Sequence, residues 1–139
     1  MPGPKRAAKS HQGFRVRDTR PKSMVDAVIF DLGGVLIDWN PRYLYRKLMS
    51  DPDHVEWFLE HVCPPSWNAL HDAGQRFEVG IEERCRAFPE LAPYIRCYFD
   101  RWPEMLGEAI AESVHLFETL RRSTTPVYGL TNWSAETFP

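Results

Sequence analysis

The chain has 139 residues, of which 43% are hydrophobic, 26% charged and 13% aromatic, and its formal net charge is −2. This length and composition are typical of one soluble globular domain or part of one. The sequence has no apolar run of the roughly 18 residues that span a bilayer and no signal-peptide core near its N-terminus. We therefore expect a cytoplasmic protein without a membrane partner.

Charge is distributed unevenly along the chain. Residues 1–23 carry seven basic residues against one acidic residue, so this arm has a charge of +6 and the remainder −8. Because the arm has few large apolar side chains, we expect it to be disordered. It contains only Phe14 for stacking on a base, so we predict a solvated tail and no nucleic-acid partner, with an arm that binds nucleic acid as the alternative.

The first predicted strand runs from Val25 to Phe30. Its nearly continuous apolar character favours a parallel strand that is covered on both faces. Asp31 follows at the strand's carboxyl end, and Gly33 and Gly34 come directly after it. Ligands in open α/β sheets bind at this edge, so Asp31 is a candidate nucleophile or metal ligand.

Helical periodicity dominates the middle of the chain. Asn40-Pro41 and Asp51-Pro52 are typical helix starts, and Pro64-Pro65 is predicted to end the second helix. A looser segment containing Trp67 and Leu70 should follow. Apolar positions at helical spacing predict three further helices, whose stripes begin at Phe77, Ile95 and Val114.

A second strand is predicted over Pro126–Thr131, followed by a polar turn at Asn132. If the two strands are parallel neighbours, Asp31 and Thr131 share one edge of the sheet. The backbone N–H groups of the glycine loop, the Thr131 hydroxyl and the Asn132 amide would then surround a tetrahedral anion. A divalent cation would offset the repulsion between a carboxylate and a phosphate.

These two strand ends resemble the first two motifs of the haloacid dehalogenase-like (HAD) hydrolase superfamily. The first motif is matched by Val28-Ile29-Phe30-Asp31-Leu32-Gly33-Gly34-Val35-Leu36 and the second by Leu130-Thr131-Asn132-Trp133-Ser134. The order of the motifs around a helical insert resembles the helical-cap subfamily. That group includes small phosphatases, 2-haloacid dehalogenases and the N-terminal phosphatase domain of soluble epoxide hydrolase. The resemblance extends from about Met24 to Pro139.

The resemblance implies an α/β fold: a partial HAD-type, Rossmann-like parallel sheet core with an inserted helical cap. Residues 24–40 would form the first core strand and loop, 41–108 the cap, and 109–139 a core helix, the second strand and motif two. Since about 4–6 strands are usual in a sheet, and the family's third and fourth motifs do not follow, we expect a fragment with impaired turnover.

The same resemblance implies a Mg²⁺-dependent phosphatase that acts on a small phosphate ester. Asp31 would be the nucleophile and a magnesium ligand, and Gly33 would offer its carbonyl to the metal. Gly33, Gly34, Thr131 and Asn132 would bind the phosphoryl group. Family phosphatases carry a general-acid Asp where Gly33 stands, and its loss typically costs about 10²–10⁴-fold in rate.

Two alternatives stay open. A 2-haloacid dehalogenase also lacks that Asp, but it needs an arginine for its substrate, and Arg42 and Arg46 are expected on the surface. The other alternative is a catalytically inactive fragment or binding module with an exposed sheet edge. Among the aromatic residues, Trp133 is the best candidate for the wall of a substrate pocket. Cys63, Cys85 and Cys97 are expected to be reduced thiols.

Overall fold

A computed structural model describes residues 25–138 of the chain, so the basic arm expected over residues 1–23 lies outside the described part. The described chain is a mixed α/β structure with two small sheets. In chain order its elements are β1 (Val28–Asp31), β2 (Ile37–Trp39), α1 (Arg42–Leu48), α2 (Pro52–His61), α3 (Pro65–Asp72), α4 (Phe77–Ala87), a 3₁₀ turn (Pro89–Leu91), α5 (Ala92–Asp100), a second 3₁₀ turn (Trp102–Met105), β3 (Leu106–Ala109), α6 (Ala111–Arg121) and β4 (Val127–Leu130).

The first sheet pairs β1 with β4 in parallel, which confirms that the two predicted strands are neighbours. Both strands are shorter than predicted. Phe30 is buried and packs edge-on against Phe117 of α6, with ring centroids 5.6 Å apart. On the opposite face Ile29 is 61% exposed. The expectation that β1 is covered on both faces is therefore wrong within the described residues.

The second sheet pairs β2 with β3 in an antiparallel arrangement, which the sequence did not predict. These strands have only three and four residues and no apolar alternation long enough to identify them. The backbone N–H of Asn40 donates to Met105 O at 2.8 Å and extends the pairing. The pair lies where the expected helical cap begins and ends, so both ends of the helical segment meet at one point.

Helices α1 to α5 follow β2 and precede β3 in the chain, and they enclose the main apolar core. The second predicted helix start is confirmed, because Asp51 is the N-cap of α2 and its side chain accepts from the Asp53 N–H at 3.0 Å. The first helix begins one residue later than predicted: Pro41 is the N-cap of α1, and the Arg42 N–H donates to Asn40 Oδ1 at 3.0 Å. All three cysteines are free, as expected. Burial raises the pKa of the Cys63 thiol to about 12, so this group is unreactive. None of the helices in residues 25–138 combines the length and apolarity of a bilayer crossing.

The segment expected to be loose is instead helix α3. Pro64-Pro65 ends the preceding helix as predicted but also begins α3, because proline suits the first helical position. Gly74 ends the helix with a φ of +101°, a conformation that favours glycine. The Gln75 N–H donates to Leu70 O and the Gly74 N–H to His71 O, which is the Schellman pattern.

His71 of α3 is fully buried in an aromatic cluster. Its ring stacks on Phe77 with centroids 4.0 Å apart and meets Trp67 edge-on. Because Nδ1 lies 3.0 Å from the Gln75 carbonyl oxygen, Nδ1 carries the proton and donates it. Nε2 is buried without a hydrogen-bond partner among the described residues. His71 is thus a neutral core residue.

We expect acid to destabilise the protein through His71. Burial lowers the pKa of this imidazole, although the Gln75 carbonyl and the charges of Glu136 and Asp72 oppose the shift. The contribution of neutral His71 to the free energy of unfolding is complete above about 6.5, the ordinary pKa that applies to the unfolded chain. It is lost as the pH falls from there through the lower pKa of the folded protein. Urea unfolding across a pH series measures the effect. His71→Leu should remove this slope and His115→Gln should keep it; equal slopes for His71→Leu and the unmodified protein would contradict the assignment.

Candidate active site

A cavity of about 120 Å³ lies at the carboxyl ends of β1 and β4. The helical segment covers it from the other side. The lining combines two carboxylates, two amides, a hydroxyl, a glycine and three indoles: Asp31, Asp72, Asn68, Asn132, Thr131, Gly33, Trp39, Trp102 and Trp133. Four of the five site residues predicted from the sequence line this cavity, and Gly34 does not.

Asp31 is the last residue of β1 and pairs in register with Leu130 of β4. Neighbouring strands lie about 4.8 Å apart, so Thr131, the next residue, leaves the sheet beside Asp31. The Leu32 N–H donates to Asp31 Oδ1 at 2.7 Å and holds the side chain at the strand end. Oδ2 makes no hydrogen bond within the described residues. Asp31 therefore presents a carboxylate oxygen at the cavity.

The loop after Asp31 is closed by its own backbone. The Ile37 N–H donates to Leu32 O at 2.9 Å and the Gly34 N–H donates to Ile37 O at 2.8 Å. The Gly34 N–H is therefore engaged within the loop, and phosphate binding by Gly34 stays a prediction. A φ of +74° also gives Gly34 a conformational role. Gly33 remains at the cavity wall.

Replacing Gly34 with Ala should lower the free energy of unfolding by about 1–2 kcal/mol, because a Cβ disfavours the left-handed region. Gly33→Ala is the matched control: this glycine has no positive φ, and a Cβ there would meet nothing within 4 Å. We expect the control to change stability by less than about 0.5 kcal/mol. Urea unfolding of both variants checks the contrast, and equal losses would contradict it.

Thr131 and Asn132 form the turn that follows β4. The Trp133 N–H donates to Thr131 Oγ1 at 3.2 Å, so this oxygen acts as acceptor within the turn and its own hydrogen can be donated to a ligand. Asn132 Nδ2 donates to Asp72 Oδ2 at 3.4 Å. The turn thus contacts the helical segment directly. The Phe77 N–H at the start of α4 also donates to Glu136 Oε2, at 2.8 Å.

Asn68 and Asp72 of α3 are site residues that the sequence reasoning missed. Asn68 Nδ2 donates to Asp72 Oδ2 at 3.0 Å, and the buried Tyr98 hydroxyl donates to Asn68 Oδ1 at 3.1 Å. A signal was present, because Pro65 at a helix start and Gly74 after a helix end delimit α3. Within those limits, Asn68 and Asp72 are four residues apart and share one helix face.

Three tryptophans form the apolar part of the wall. Trp133 was predicted there; Trp39 and Trp102 were not. Trp39 stacks on Trp102 with ring centroids 5.6 Å apart, and Trp133 lies 6.5 Å from Trp102. The Nε1 atoms of Trp39 and Trp102 are buried and have no hydrogen-bond partner within residues 25–138. The cavity is therefore polar at the strand ends and apolar towards β2.

The cavity has carboxylates but no cationic side chain among its lining residues. The described residues include no group of three or more His, Cys, Asp or Glu side chains placed to hold a metal ion. The resemblance implies that Asp31 and the Gly33 carbonyl would offer two oxygen ligands. Mg²⁺ commonly keeps several waters and uses one or two carboxylates plus substrate phosphate oxygens, so this donor set would fit the ion but would bind it weakly.

Comparison with known proteins adds no relative. No family model matches the chain, and no curated protein or solved structure gives a match.

Proposed function

We propose that the chain is a HAD-like hydrolase that uses Asp31 to transfer the phosphoryl group of a small phosphate ester with Mg²⁺. The supporting observation is the meeting of Asp31 with Thr131 and Asn132 at the carboxyl edge of a parallel strand pair. These residues come from two motifs about a hundred positions apart, and one cavity is lined by both. In this proposal the β1–β4 pair is part of a Rossmann-like core, the helical segment is its cap, and the activity is cytoplasmic.

The chemistry divides into two displacements. An Asp31 carboxylate oxygen attacks phosphorus, the bond from phosphorus to the ester oxygen breaks, and the departing oxygen takes up a proton. Water then attacks the phosphorus of the aspartyl phosphate, which releases phosphate and restores the carboxylate. The Thr131 hydroxyl donates to a phosphoryl oxygen throughout. When bound, Mg²⁺ supplies charge that offsets the repulsion between Asp31 and the phosphate.

The cavity lining also separates this proposal from a 2-haloacid dehalogenase. A 2-haloacid carries a carboxylate, and binding it beside Asp31 and Asp72 without a cationic side chain is unfavourable. Arg42, considered for that role, instead forms a surface ion pair with Glu56. A phosphate ester would bind together with Mg²⁺, whose charge would offset the same acidic surroundings. The lining therefore favours the phosphatase.

The proposal is tested by measuring phosphate release from a panel of small phosphate monoesters with the 139-residue chain. We expect slow phosphate release that depends on Mg²⁺ and stops with a chelator, because only Asp31 and the Gly33 carbonyl would hold the metal among the described residues. We expect no chloride release from 2-chloropropionate. Chloride release in the presence of chelator would favour the dehalogenase, and absence of both reactions would favour the inactive binding module.

A further inference from the structure

The proposed phosphatase lacks a proton donor on the β1 loop. Gly33 stands where the phosphatases that the chain resembles carry their general acid, and it has no side chain. An ordinary alcohol is a poor leaving group as an alkoxide, so a site without general acid catalysis loses about 10²–10⁴-fold. A carboxyl group from another element would fill this gap only if it reached the same cavity.

Asp72 is such a group. It lines the cavity together with Asp31 and Thr131, but it comes from α3 in the helical segment. Its position is set by two amide groups: Asp72 Oδ2 accepts from Asn68 Nδ2 at 3.0 Å and from Asn132 Nδ2 at 3.4 Å. The Schellman ending at Gly74 fixes the helix turn that carries it. Asp72 is thus built into the site and attached to the turn after β4.

We propose that Asp72 is the general acid and base of this site and takes over the task for which Gly33 has no side chain. This inference rests on the proposed phosphatase activity. As the bond to the ester oxygen breaks, protonated Asp72 gives its proton to that oxygen and becomes a carboxylate. In the second displacement it accepts a proton from the attacking water and returns to its starting form. The net reaction consumes one ester and one water and yields one alcohol and one phosphate.

Burial and the helix end disfavour the carboxylate form of Asp72, whereas the two amide groups that donate to Oδ2 favour it. Partial burial raises the pKa of this carboxyl, while the Ser134 hydrogen bond and His71 oppose the increase. Its place in the last turn of α3 also puts it at the negative end of the helix dipole, which disfavours a carboxylate. The titratable groups around it are His71 on its own helix, Tyr98 of α5 and Asp31 across the cavity.

Asp72→Asn tests the role with two esters that differ in their leaving group. For an alkyl phosphate, which needs a proton donor, we expect the rate to fall by about 10²-fold or more. For 2,4-dinitrophenyl phosphate, whose phenolate leaves without a proton, the first displacement should be nearly unaffected, so a single-turnover burst should persist. Asp100→Asn, an exposed carboxylate at the end of α5, is the matched control and should change neither rate.

The outcomes separate the two proposals. An equal loss on both esters in the burst phase would show that Asp72 only positions Asn132, and it would overturn the inference while the phosphatase stands. Hydrolysis of neither ester by the unmodified protein would overturn both. A pH profile of the unmodified protein is a second test that needs no variant. The turnover rate of the alkyl ester should fall as the pH rises and Asp72 loses its proton, whereas the burst with the dinitrophenyl ester should not fall. The same pH dependence for both esters would also overturn the inference that Asp72 is the general acid.

Discussion

Asp31→Asn should reduce phosphate release by about 10³-fold or more, the size of loss that removal of a nucleophile commonly produces. An amide oxygen can still accept the hydrogen bond from the Leu32 N–H, so the strand end should keep its shape. An amide cannot form the acyl phosphate, however, and it is a poorer ligand for Mg²⁺. Steady-state phosphate release with Mg²⁺ measures the loss, and urea unfolding establishes that the variant is folded.

Asp26→Asn is the control for this experiment. Asp26 is an exposed carboxylate just before β1, at the opposite end of the strand from the cavity. The substitution makes the same change in charge, so we expect activity within about twofold of the unmodified protein, as for a surface change away from the site. Comparable activity of the Asp31→Asn and Asp26→Asn variants would show that Asp31 is not the nucleophile.

Gly80→Ala should lower the free energy of unfolding by about 1–3 kcal/mol, the usual cost of overpacking a core. In most helix interiors the same change is stabilising, by about 0.5–1 kcal/mol. The sign reverses here because the His71 ring lies against the backbone of α4. A Cβ at Gly80 would overlap His71 Cε1, lie 2.8 Å from Nε2 and lie 3.2 Å from Trp67 Nε1.

The His71→Ala background provides the control for Gly80. His71→Ala is itself destabilising because it leaves a cavity in the aromatic cluster. Within that background the Cβ added at position 80 enters vacated space, so adding Gly80→Ala should be neutral or stabilising. Urea unfolding of the unmodified protein, the two single variants and the double variant gives the interaction free energy between positions 71 and 80. An equal cost of Gly80→Ala with and without His71 would place the clash elsewhere.

The strand ends were predictable because their chemistry is local. Asp31 and Thr131 each follow a short apolar run, and parallel pairing brings the carboxyl ends of neighbouring strands together. The role of Gly34 was not predictable in this way. Its N–H is taken by Ile37 O, and the sequence does not show how a loop divides its backbone hydrogen bonds.

The other side of the cavity depends on contacts between distant segments. Asp72 and Asn132 are sixty residues apart, and their hydrogen bond exists only because the helical segment folds over the sheet edge. The β2–β3 pair joins segments that are similarly far apart, and each strand is too short to show a pattern of its own. The helix carrying Asp72 was recoverable from Pro65 and Gly74, but its orientation was not.

Capture of the covalent intermediate tests the central claim most directly. The protein is incubated with a phosphate ester and Mg²⁺ and treated with borohydride, which reduces an acyl phosphate to an alcohol, and the modified residue is then located by peptide mass spectrometry. Our account predicts homoserine at position 31, dependent on ester and Mg²⁺ and absent in Asp31→Asn. Phosphate release with Asp31 unmodified, or homoserine at Asp72 instead, would contradict it.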